Sequence, residues 1–102
     1  MKVIKCLADR IEEELNDALT YAELAEKWKE TEPETADLFL ELSQEEMGHM
    51  EKLHNEAVRQ IEKYREEHGE PPECMKMLYD YLHGKHIEKA KMIKVMQGMY
   101  RE

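Results

Sequence analysis

Two stretches, EELNDALTYAELAEKW at residues 13–28 and DLFLELSQEEMGHMEKL at residues 37–53, decide the fold. Each mixes Leu, Ala, Glu and Lys, which are good helix formers, and apolar residues recur three and four positions apart. Working outward from the first, residues 3–30 hold neither Gly nor Pro. Their apolar positions, Ile4, Leu7, Ile11, Ala18, Tyr21, Ala25 and Trp28, form one helical seam. The second stretch gives Phe39, Leu42, Leu53, Ala57, Ile61 and Tyr64.

Between them, Thr31-Glu32-Pro33-Glu34 reads as a helix start. Thr31 and Glu34 have capping-box spacing, and Pro33 falls in the first turn, where its missing N–H does little harm. The second helix is expected over about 33–68, with Gly69 ending it and Pro71-Pro72 blocking continuation. A third helical segment, about 73–100, carries the stripe Met75, Leu78, Leu82, Ile93, Met96 and Tyr100, with Gly84 a break or kink. The reading is therefore all-α: one domain over residues 1–102, an antiparallel hairpin plus a C-terminal helix. A helix pair buries little surface, so the simplest completion is a four-helix bundle made by a homodimer.

Charge excludes several functions. The chain has 102 residues, 24 acids against 15 bases, and a formal charge of −9. So acidic a chain is a poor binder of nucleic acid and a fair attractor of cations. No apolar run nears the ~20 residues of a membrane span, and no secretory leader precedes the first acids. Cys6 and Cys74 lack paired spacing and read as reduced thiols of a cytoplasmic protein, a Cys6–Cys74 disulfide being the alternative. Residues 1–74 carry net −12 and residues 75–102 net +3. The basic third helix is expected to dock on the acidic hairpin, or else on an outside partner.

Each seam has a polar interruption. Glu14 fills the gap between Ile11 and Ala18; Glu46 and His49 fill that between Leu42 and Leu53. A buried carboxylate costs several kcal/mol unless paired or metal-bound. Glu46 and His49 are i, i+3 neighbours, so both project from one side of the helix. Glu14 lies 17 residues before Thr31, and Glu46 and His49 lie 15 and 18 after it. Equal distances from the turn put all three at one height. Around a two-fold axis, four carboxylates and two imidazoles would suit two divalent ions of iron or manganese, and that cluster offers no all-thiolate or His₃ zinc set.

ExxH in the second helix, Glu14 some 32 residues earlier and Tyr21 seven residues after that Glu together resemble the ferritin-like di-iron proteins. The quoted stretches are most similar to the rubrerythrin branch, over about residues 10–58. The resemblance implies iron as cofactor, with Glu14 and His49 as terminal ligands and Glu46 as the bridge. A second Glu…ExxH set is absent, as are rubredoxin-type CxxC pairs. A half-length chain with one ligand set is similar to the encapsulated ferritins, which build the di-iron centre between subunits and form rings within an encapsulin shell. That similarity implies Fe(II) oxidation by O₂ or H₂O₂ at catalytic Glu14, Glu46 and His49, for iron storage or detoxification. Rubrerythrin-like peroxide reduction and a non-catalytic helical adaptor remain the alternatives.

Lesser readings complete the expectations. The trio could instead be a buried polar group that fixes helix register. Glu13 and Glu45 would replace Glu14 and Glu46 if the register slips by one. Tyr21 is either a core aromatic or a neighbour of the ligands. His54, His68, His83 and His86 read as surface residues, although His83 and His86 share i, i+3 spacing and could hold a metal. The eight Met read mostly as core filler. Glu12, Glu13 and Asp17 could draw Fe(II) to the site or simply solvate a helix face.

Overall fold

A computed structural model describes residues 2–100, which form three α-helices: α1 (Lys2–Trp28), α2 (Pro33–His68) and α3 (Glu73–Tyr100). They run up, down and up, making a rod with extents of 55 × 18 × 17 Å. The chain turns from α1 into α2 when the Glu32 N–H donates to the Trp28 carbonyl at 2.8 Å. Pro33 then sits in the first turn of α2. The Thr31–Glu34 capping box does not form. Glu32 is the cap residue, and no side chain bonds to the free N–H groups. Thr31 lies one residue too early, inside the turn, and the fixed φ of Pro33 starts the helix instead.

Gly69 ends α2 with a positive φ of 76°, and its N–H donates to the Arg65 carbonyl at 2.8 Å. That backbone region suits a residue without Cβ. Pro71 and Pro72 follow, and the Pro72 carbonyl accepts from the N–H groups of Met75 and Lys76. Gly84, expected as a break or kink, does not break α3, which continues through it. One exposed Gly weakens a long helix without stopping it.

The core is built where all three helices meet. Ile11, Leu15 and Ala18 of α1, Met47 of α2 and Ile93 of α3 form one buried cluster. Ala25, Ala36, Leu40 and Tyr100 form the other, nearer the α1–α2 turn. Small residues at Ala18, Ala22, Ala25, Ala36 and Ser43 are all buried. They allow the hairpin backbones to approach closely.

The basic α3 docks on its own hairpin. Fully buried Ser43 donates to the Ala18 carbonyl at 2.6 Å and accepts from Gln97 Nε2 at 2.9 Å. Tyr100 donates to Asp37 at 2.6 Å, Lys89 bonds to Asn16, and Lys29 lies over the Tyr100 ring. One short hydroxyl at Ser43 thus joins α1, α2 and α3.

This docking corrects the expected seams. In α1, Ile4, Ile11, Ala18 and Ala25 are buried, Leu7 and Tyr21 are half-buried, and Trp28 is 37% exposed. Leu15 and Ala22 are buried though outside the seam. In α2 the expected residues are only half-buried, whereas Ala36, Leu40, Ser43 and Met47 are fully covered. A two-helix seam and a three-helix core differ by about one position, or ~100° around the helix axis. In α3, Ile93 and Tyr100 are buried but Leu78 is 55% exposed. Met77, Met92 and Met99 are exposed as well, so these methionines do not fill the core. Cys6 and Cys74 are free and exposed. Among the described residues, no helix is long and apolar enough to cross a membrane.

Candidate metal centre

Glu14, Glu46 and His49 come together on the flank of the hairpin. Halfway along α1, Glu14 points at α2 from a position between buried Ile11 and Ala18. One turn of α2 supplies the other two. His49 Nδ1 lies 3.6 Å from Glu14 Oε2 and 3.7 Å from Glu46 Oε2. The side chains of Glu14 and Glu46 are 16% and 19% exposed, while His49 is 58% exposed. The carboxylates are therefore sheltered and the imidazole forms the open side.

One atom has no explanation within the chain. Among the described residues, the buried Glu14 Oε2 has no hydrogen-bond partner. An unpaired buried carboxylate oxygen is costly. Among the described residues, neither Glu14 nor Glu46 is paired with a Lys or Arg; the Lys and Arg ion pairs go to Asp9, Glu13, Glu56 and Glu70 instead. A bound cation would resolve the problem. One donor atom from each of Glu14, Glu46 and His49 lies within 4.8 Å of the other two. Two carboxylates and an imidazole form an O/N donor set suited to iron or manganese.

The one-residue alternatives do not converge here. Glu13 is exposed and pairs with Arg10 at 2.6 Å, and Glu45 is exposed. Tyr21 stacks on Phe39 with ring centroids 6.1 Å apart, which fits its packing role. Sequence reading overlooked Ser43, the buried hydroxyl behind the site's flank. Its signal was a small polar residue within an otherwise large-residue stretch. His54 and His86 are half-buried rather than surface residues, and His54 stacks on His83 between α2 and α3.

A helical bundle whose adjacent helices present Glu and ExxH at one height belongs to the ferritin-like class of carboxylate–histidine proteins. The Rubrerythrin family model matches residues 5–102, so this chain belongs to the Rubrerythrin family. No curated protein and no solved structure matches it in the same comparisons. The family is one of di-iron, redox-active proteins, and membership implies iron binding.

Proposed function

We propose that this protein oxidises Fe(II) with O₂ or H₂O₂ at a di-iron centre formed between two copies of the chain. The observation that carries the reading is the convergence of Glu14, Glu46 and His49, with the buried Glu14 Oε2 facing His49 at 3.6 Å but accepting no hydrogen bond from the described residues. Glu14, Glu46 and His49 hold the iron. Bound there, iron supplies the one-electron transfers that side chains cannot. The two carboxylates offset the cation charge, and the exposed His49 side leaves access for ions and oxidant. Two Fe(II) give up one electron each; with two protons, these reduce O₂ to H₂O₂ or H₂O₂ to two waters.

Three protein ligands leave about half the positions of a six-coordinate iron ion unfilled. A second copy related by a two-fold axis would bring a second Glu14, Glu46 and His49. The half-buried Phe39 and Leu42 and the 51% exposed Leu38, on the same stretch of α2, supply apolar surface for that contact. Storage in an encapsulin compartment or in the cytoplasm belongs to this reading.

Family membership favours a second reading, peroxide reduction driven by an external electron donor. Relative rates with O₂ and H₂O₂, with and without a reductant, separate the two. Aerobic addition of Fe(II), followed at about 300–350 nm, tests the shared premise. Wild type should oxidise iron faster than buffer, and Glu46→Ala should lose most of that excess. Equal rates would leave a helical adaptor without this chemistry.

A further inference from the structure

Three of the five histidines gather between α2 and α3, starting with His54, which follows His49 by five residues on α2. His54 of α2 and His83 of α3 stack with ring centroids 5.2 Å apart. His86 follows one turn later on α3, and all three line two adjoining cavities of about 350 and 380 Å³. His54 and His86 are half-buried. Burial lowers the pKa of His86, which keeps its nitrogen lone pair available near neutral pH. Glu12 of α1 acts on His86 with opposing, favourable charge, and Glu51 of α2 lines the second cavity. Lys89 opposes a cation there, its ammonium held by the neutral Asn16 amide oxygen, so Glu12 and Glu51 must outweigh it.

Packing alone gives little reason for this grouping. Two imidazoles stacked beside a third in a groove lined largely by apolar side chains gain little from one another. They do have a shared use as nitrogen ligands. We propose that His54, His83 and His86 form a second metal site, selective for imidazole-preferring divalent ions such as Zn(II), that clips α3 to α2. The donor chemistry differs from that of Glu14, Glu46 and His49, so the two sites would sort ions by ligand type. As they stand the rings are gathered but not converged: among the described residues, only the carboxylate trio has three donor atoms within 4.8 Å of one another. The two cavities give the rings room to turn, and His83 is exposed at the groove's edge. Closure by a metal would hold the N-terminal half of α3, where Met77, Leu78 and Tyr81 are all exposed.

The site does not depend on the iron reading, and the test keeps the two apart. Full-length protein labelled with ¹⁵N-histidine is titrated with Zn(II) at neutral pH, and imidazole nitrogen shifts are read by NMR. At least two of His54, His83 and His86 should show metal-bound shifts, in Glu46→Ala as well as wild type. His83→Ala should weaken this binding at least ten-fold by calorimetry, with helical content unchanged. Shifts confined to His49, or an unchanged isotherm in His83→Ala, would overturn the proposal. The shifts in unmutated protein keep it testable even if a variant fails to fold.

Discussion

Glu14 is the residue at which stability and chemistry pull in opposite directions. Its Oε2 is buried without a hydrogen bond among the described residues, so in the metal-free protein the carboxylate is a cost. Replacing a poorly compensated buried charge with a well-packed apolar group often stabilises by ~1–4 kcal/mol. Glu14→Leu should accordingly raise the urea midpoint of metal-free protein while abolishing iron binding. A trio that merely fixed helix register would show the reverse, with Glu14→Leu destabilising. Tyr100 gives a second prediction. Its hydrogen bond to Asp37 pushes the phenol up to about 12 from an ordinary value near 10. Since the folded value is the higher one, the contribution is complete below pH 10 and fades as pH rises towards 12. Denaturant unfolding over that range should show a loss of stability that Tyr100→Phe reduces.

Gly84 belongs to the scale of the element. It lies in the exposed middle of α3, and a Cβ added there would meet nothing within 4 Å. Gly84→Ala should therefore stabilise the protein by up to ~1 kcal/mol, read as a higher urea midpoint with unchanged slope. The helices themselves were legible from local signals. The Gly- and Pro-free run in α1, Pro33 at the start of α2, and Gly69 with Pro71-Pro72 at its end are backbone constraints, and they act regardless of packing. The buried faces were less legible. Leu15, Leu40 and Met47 are buried because α3 lies over them, and that is a long-range event that a hairpin's own periodicity cannot reveal. Glu14, Glu46 and His49 were readable because turn-counting fixes height in an antiparallel hairpin whatever covers it. His54 and His83 were not, since their encounter depends on how α3 folds back across α2.

At the scale of the molecule, the chain is a 55 Å rod with two kinds of flank. Along one, α3 lies over Ala36, Leu40, Ser43 and Met47 and completes a core. The other carries half-buried Phe39, Leu42 and Glu46 and exposed His49, with the Glu14 carboxylate oxygen inside lacking a hydrogen bond among the described residues. Apolar residues half exposed beside sheltered charge make a surface suited to a second copy and to ions held between the two. On the proposed reading metal and assembly would be linked, because whatever binds the paired form stabilises it. Native mass spectrometry of iron-loaded protein, with elemental analysis of the same sample, tests this most directly. A dimer carrying two iron ions, reduced to metal-free protein in Glu14→Ala, Glu46→Ala and His49→Ala, is the expected result. A monomer without iron, or iron retained at full stoichiometry in all three variants, would contradict it.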